Sequence, residues 1–579
     1  MVCTARRTTK HDRPHNVLFA PAYLSRSPVL PNSPVMPRRP LLALLAALAP
    51  LTALGAQARP ARQAAQVTPA GGPVGPVPTL VVFLTIDQMR PDYFDRWPGQ
   101  LTGGLHRLAT DGAFFTNAYH DHATTETAPG HSVTMSGRFP AHTGIVRNNA
   151  GVGDPQAPLI NGSRTLGASP FRFRGSALID WLRTADPRSR ALSVSRKDRG
   201  AILPLGRAKQ SVFWYGADGA FTTSTYYADT LPTWVRRFGA RENGRGFAGQ
   251  TWTPLLPDSA YREPDSVSLE SGGRDFVFPH RFPTDSAAAA ASLTEFPQMD
   301  QLTLDLALEG LQALRLGTGP QTDILAVSLS TTDAIGHRYG PDSKEQHDQI
   351  LRLDRELGVF LDSLFRLRDS TRVVIALTAD HAVAPFPETH FAGQPASVAR
   401  RANLDTLVQR YAASLRARGA DSTALDFDFG MLFLDRAALA RAKVDADSVA
   451  RRFAADARKV AGVQRADLRR DLARADTTTD YIARRWLHSI PADLPVEVVV
   501  TLRPYVYWSS VRYATHGTPW DYDAHVPVLF WGAAFRPGRD ATYARVVDMA
   551  PTLAAVLHVT PTERLDGRVL TRAFRPAPR

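Results

Sequence analysis

Six residues of this chain can ligate a divalent metal and fall in short motifs of similar form: Asp87, Asp333, His337, Asp380, His381 and His516. Three carboxylates and three imidazoles, with no cysteine among them, are the donor set of a pair of borderline divalent ions, and zinc fits it best. Asp333 and His337 stand four apart in TTDAIGHRYG, so both reach one ion if that segment turns helically. Asp380 and His381 are neighbours just past an apolar run, where a loop can splay adjacent side chains to different contacts. His516 comes from far down the chain in ATHGTPWDYDAHVPV, beside Gly517, which permits close backbone approach. Taken singly, such an Asp reads as a helix cap and such a His as a polar core residue. Gathered at the ends of strands of one sheet, they read as a site.

The elements that must position them follow from hydrophobic patterning. TLVVFLTID (79–87), TDILAVSLSTTD (322–333) and TRVVIALTADH (371–381) are continuous apolar runs, each delivering an Asp at or near its end. Such runs suit strands buried on both faces of a parallel sheet, and open α/β sheets bind ligands at the carboxyl ends of their strands. Between the second and third, residues 344–365 place Ile350, Leu353, Leu357, Phe360 and Leu364 on one helical face, which predicts a crossover helix. EVVVTL (497–502) and PVLFWG (527–532) predict further strands, and 547–559 a helix. The expected fold is α/β: a mostly parallel central sheet with helices on both faces and cap insertions. The catalytic domain is expected over 79–579. It is interrupted near 150–300, which is Pro/Gly/aromatic-rich, and near 387–495, which is Arg/Ala-rich and helical.

Residues 1–58 read as an address. Arg38 and Arg39 precede the apolar run LLALLAALAPLTALGA, which ends in the small-residue pattern Ala56-Gln57-Ala58. The expectation is a signal peptide cleaved after Ala58, with translation starting at Met36 as an alternative to Met1. Pro50 and the shortness of the run argue against a membrane anchor in the mature form. A Pro/Gly/Ala-rich linker (59–78) follows. Cys3, the only cysteine, lies upstream of the cleavage site, so any metal must use His and carboxylate. Seven Lys/Arg against one Asp in residues 1–58 leave +7 of the formal +13 to the rest, mostly Arg scattered through Ala-rich segments. No aromatic-interleaved basic stripe accompanies it, so no specific nucleic-acid partner is expected.

The motifs TIDQMRPDY, TETAPGH, STTDAIGHRYG, TADHA and THGTPWDYD resemble the metal and nucleophile motifs of the alkaline phosphatase superfamily, in its nucleotide pyrophosphatase/phosphodiesterase-like branch. The resemblance covers 79 to about 150, 300–390 and 495–560. It implies that Asp87, Asp380 and His381 hold one zinc together with Thr127, and that Asp333, His337 and His516 hold the other. It implies Thr127 as nucleophile, activated by direct coordination, and two in-line displacements through a phosphothreonine. Read without the resemblance, Thr127 is a helix cap, with Thr124 and Thr125 as rivals. A cap position also sets a hydroxyl beside amides that favour phosphate.

The substrate rests on SRKDRGAILPLG (195–206). Lys197 and Arg199 alternate after a strand-like ALSVS and can act together on the extra charge of a phosphomonoester dianion. They resemble the KxR element of the PafA-type alkaline phosphatases, and Asn148 matches the asparagine that holds a phosphate oxygen in this branch, with Asn149 as the competing register. The expectation is a two-zinc phosphomonoesterase acting on small phosphate monoesters, monomeric, and periplasmic or secreted. A phosphodiesterase or nucleotide pyrophosphatase is the alternative, with FWYGADGAF (213–221) as its candidate slot. A sulfatase, which uses a modified Cys or Ser, is disfavoured because the expected mature chain has no cysteine, and phosphoglycerate mutase chemistry by the export segment.

Overall fold

The computed structural model describes residues 76–163 and 165–576. The expected signal peptide and nearly all of the linker lie outside the described residues. Seven strands of the central sheet come first: β1 (Leu80–Ile86), β2 (Ala113–Tyr119), β3 (Ala191–Ser195), β4 (Ser211–Tyr215), β5 (Phe221–Thr222), β6 (Asp323–Leu329) and β7 (Val373–Thr378). The chain then builds β8 (Leu425–Asp428), β9 (Met431–Leu434), β10 (Val463–Leu468) and β11 (Val496–Leu502), and returns as β12 (His525–Trp531), β13 (Gly538–Asp540) and β14 (Ala544–Arg545).

The central sheet runs β13-β2-β12-β7-β1-β6-β3-β4-β5, with β14 also pairing with β2. Its heart is parallel: β1 lies between β6 and β7, and β3 between β6 and β4. Every residue of β1, β6 and β7 is buried, as strands without a polar face must be. Burying each Val, Leu or Ile there contributes roughly 1.5–3 kcal/mol over leaving it in water.

The helices include α1 (Thr127–Thr134), α2 (Gln298–Ala313), α3 (Thr331–Tyr339), α4 (Lys344–Leu367), α5 (Tyr481–Ser489) and α6 (Met549–Leu557). The crossover helix forms as expected in α4, where Ser343 accepts from the Gln346 amide and the periodic apolar residues are buried. One strand is shorter than its pattern. β6 stops at Leu329, and STTD turns into α3, so Asp333 sits in a first helical turn rather than at a strand end. Ser, Thr and Asp favour helix starts, and a carboxylate there meets the positive end of the helix.

Two segments set apart by composition have structural roles of their own. Part of 150–300 supplies β3, β4 and β5 to the central sheet. Strands β8 and β9 from the second segment pair antiparallel with each other, and β9 and β10 pair antiparallel with β11, forming the separate sheet β8-β9-β11-β10. EVVVTL is thus a strand, but of this second sheet.

Candidate metal centre

Because β6, β1 and β7 are in register side by side, the segments leaving their carboxyl ends converge. Asp87 leaves β1 with its amide bonded to the Leu329 carbonyl at 2.9 Å. Asp333 projects from α3, and Asp380 and His381 follow β7. His516 arrives on a loop anchored by the Ala514 amide on the His337 carbonyl, 3.1 Å.

The structure sorts these six residues into two trios. Ligand atoms of Asp333, His337 and His516 lie within 4.8 Å of one another, as do those of Asp87, Asp380 and His381. His337 Nε2 is 3.1 Å and His516 Nε2 3.6 Å from Asp333 Oδ1. His381 Nε2 is 3.5 Å from both Asp87 Oδ1 and Asp380 Oδ2. The His381 and His516 rings, one from each trio, stack with centroids 3.5 Å apart.

The donor chemistry fits divalent ions. In all three imidazoles Nδ1 faces a backbone carbonyl: Ala514 for His337, Ala382 for His381 at 3.0 Å and Thr125 for His516 at 2.7 Å. A carbonyl only accepts, so Nδ1 carries the proton and Nε2 offers its lone pair to the trio. Asp87 Oδ1 and His381 Nε2 are fully buried and have no hydrogen-bond partner among the described residues, a costly arrangement unless a cation completes it. Burial drives His381 well below the usual imidazole range, toward the neutral form that binds metals.

Charge points the same way. Burial, aided by the Asp333 and Asp380 charges, pushes Asp87 up to about 7. Burial also opposes ionisation of Asp333, but Lys197 and His337 outweigh it and hold that carboxyl well below its ordinary value. Asp380 is likewise lowered against burial, by His381 and His131. Against these three buried carboxylates stand only the Lys197 ammonium and, 3.7 Å from Asp333, the Arg196 guanidinium among the lysines and arginines paired with them, so positive charge is short at this spot.

Thr127 opens α1 behind an extended Glu126 and is 1% exposed. The helix comes this close because of Gly130: a Cβ there would stand 2.1 Å from the Asp380 carbonyl oxygen. The Lys197 ammonium enters from the end of β3 and reaches Asp87 Oδ2 and Asp333 Oδ2, both at 2.6 Å, and Thr127 Oγ1 at 3.3 Å. It therefore bridges the trios beside the hydroxyl. Arg199 stands in the short helix after it, with its guanidinium 3.7 Å from Asp198 and its buried Nε without a partner among the described residues. Asn148 accepts the Ala128 amide on Oδ1 at 2.8 Å, while Asn149 turns away to Asp428.

Four residues that the sequence reasoning passed over also shape the centre. His131 sets Nδ1 2.9 Å from the Thr127 carbonyl and 3.1 Å from Asp380 Oδ2, tying α1 to the Asp380 trio. It lies inside TETAPGH, four residues after Thr127, and helical spacing would have flagged it. Gln88 donates from Nε2 to Asp333 Oδ1 at 2.9 Å and from its backbone to Asp380 Oδ1 at 3.2 Å. It does so at φ 68, a conformation rare for non-glycine residues and one that no sequence pattern announces. Arg196 approaches Asp333 to 3.7 Å, and Glu126 accepts the Asn148 amide at 2.6 Å. Burial pushes Glu126 up to about 7. The aromatic slot considered at 213–221 is instead the β4–β5 hairpin, with Phe213, Trp214, Tyr215 and Phe221 buried in the core.

Comparison with known proteins gives a consistent result. The family model for type I phosphodiesterase / nucleotide pyrophosphatase matches residues 81–495. The chain is 31% identical to alkaline phosphatase PhoV of Synechococcus elongatus over 85% of its own length and 92% of that protein. It is 28% identical to alkaline phosphatase PafA of Elizabethkingia meningoseptica over 86% and 95%. The crystal structure of wild-type PafA superposes with a TM-score of 0.78 at 27% identity, covering 87% of this chain and all of that one. A second PafA crystal structure, of a variant altered at a threonine, an asparagine, a lysine and an arginine, has the same TM-score at 26% identity.

Proposed function

The chain belongs to the type I phosphodiesterase / nucleotide pyrophosphatase family, and from that premise we propose that it is an alkaline phosphatase hydrolysing small phosphate monoesters, with Thr127 as nucleophile. The observation that carries this reading is the Lys197 ammonium, 3.3 Å from the Thr127 hydroxyl and bridging both trios. Relatives named alkaline phosphatase over most of their length support it, and the four residues altered in the PafA variant match Thr127, Asn148, Lys197 and Arg199 in type and order.

Two divalent ions, zinc by donor type, would be held by the two trios, one together with Thr127, and when bound they supply Lewis-acid charge for the attacking and leaving oxygens. Thr127 Oγ loses its proton and attacks phosphorus in line, taking the phosphoryl group as the ester P–O bond breaks and the alcohol departs, and water then attacks the same phosphorus, breaking the Oγ–P bond to release inorganic phosphate and restore the hydroxyl. Asn148, its Oδ1 committed to Ala128, turns its NH2 to one phosphate oxygen. Lys197 and Arg199 take the oxygens that carry the second charge of a monoester, which a diester lacks. Gln88 and His131 keep Asp333 and Asp380 in place.

In the cell we place the enzyme outside the cytoplasm as a monomer, exported by the segment ending at Ala58. No helix among the described residues is long and apolar enough to cross a membrane. The test of the activity is turnover by zinc-loaded protein of p-nitrophenyl phosphate against bis-p-nitrophenyl phosphate.

A further inference from the structure

The second sheet meets the Asn148 loop, with Asp428 as the carboxylate at the contact. Asp428, the last residue of β8, accepts from Asn149 Nδ2 at 2.8 Å and pairs with the Arg147 guanidinium. Arg147 also lies over the Phe433 ring of β9, 4.7 Å from its centroid. Both neighbours of Asn148 are therefore tied to the same insertion.

The presentation of Asp428 is rigid. Asp428 pairs with Met431 across a two-residue turn, and the turn residues Phe429 and Gly430 both have positive φ, 40 and 86, as in the hairpin turn that matches strand twist. A Cβ on Gly430 would stand 2.5 Å from the Val500 carbonyl of β11. Beside the ion pair, Val146 packs in an apolar cluster with Met431, Trp486 and Val499. Asn148 is fixed from the other side, its amide donating to Glu126 and its Oδ1 accepting from Ala128.

We propose that Asp428 is a positioning residue, through which the 387–495 insertion braces the Asn148 loop and holds the Asn148 side-chain NH2 for a phosphate oxygen. Asp428 does not meet substrate. It removes the freedom of Arg147 and Asn149, and with it the freedom of the residue between them. The proposal rests on the phosphate-binding reading of Asn148.

A double-mutant cycle tests it with zinc-loaded full-length enzyme and p-nitrophenyl phosphate. Asp428→Ala should lower kcat/KM about tenfold with zinc content unchanged, and should cost less than about twofold in an Asn148→Ala background while retaining its tenfold cost in a Lys197→Ala background. If Asp428→Ala folds poorly, Asn149→Ala removes one tie without stranding a charge and should show the same pattern at about threefold. Equal costs in the Asn148→Ala and wild-type backgrounds, or no cost where Asn148→Ala itself is damaging, would overturn the inference alone. A silent Asn148→Ala would overturn the reading of Asn148 and the inference with it.

Discussion

The ammonium of Lys197 and the hydroxyl of Thr127 stand 3.3 Å apart at the junction of two candidate metal-binding trios, although 70 positions separate them in the chain. A cation so placed serves a substrate bearing two negative charges on phosphate better than one bearing a single charge. Lys197→Ala is expected to lower kcat/KM for p-nitrophenyl phosphate by about 10²–10³ and that for its bis-ester far less. Steady-state rates on both substrates check this, and equal losses would remove the substrate assignment.

Thr127 should be irreplaceable by a residue without a hydroxyl. Thr127→Ala is expected to lose at least about 10³ in kcat, while Thr127→Ser keeps a nucleophile and loses much less. Acid-quenched enzyme digested to peptides should carry phosphate on Thr127 and on no other residue.

Metal should bind in two places of different composition. Dialysis against a chelator should abolish turnover, and zinc should restore it as two equivalents bind. His337→Ala and His381→Ala should each reduce the bound metal by about one equivalent, because each empties a different trio. Elemental analysis of the purified variants reads this directly.

Gly130 is a point where backbone approach leaves no room for a side chain. Gly130→Ala sets a methyl 2.1 Å from the Asp380 carbonyl, so α1 must move away from β7. The expected cost is about 1–3 kcal/mol of stability, together with weaker metal binding through displaced Asp380. Thermal unfolding with and without zinc separates the two effects.

A structural ion network gives a pH signature. His280 is buried, with Nδ1 3.0 Å from Asp275 and Nε2 2.9 Å from Glu345, a geometry suited to the doubly protonated ring. Burial opposes that charge, but the two carboxylates outweigh it and raise the ring above its ordinary 6.5. A raised folded value means stability fully present below about pH 6.5 and lost as pH rises through the higher folded value. The melting-temperature gap between wild type and His280→Gln, both zinc-saturated, should therefore narrow from pH 6 to pH 9.

Much of the site was legible because its ligands follow apolar runs whose burial is dictated by composition. Asp87, Asp380 and His381 fall where β1 and β7 end, and Asp333 and His337 share a helix as their spacing implied. The turn from β6 into α3 was misplaced because LSTTD continues the strand's β-branched character while its Ser, Thr and Asp favour a helix start. Gln88 and Asp428 were invisible for another reason. One depends on an unusual backbone angle and the other on a hairpin of a second sheet meeting a distant loop, and neither leaves a local pattern.

The most direct test of the central claim is the ratio of kcat/KM for p-nitrophenyl phosphate to that for bis-p-nitrophenyl phosphate, measured on one zinc-loaded preparation. A ratio above about 10² in favour of the monoester is expected, from charge contacts that only the dianion makes. A ratio near or below one would contradict it and assign the centre to diester cleavage.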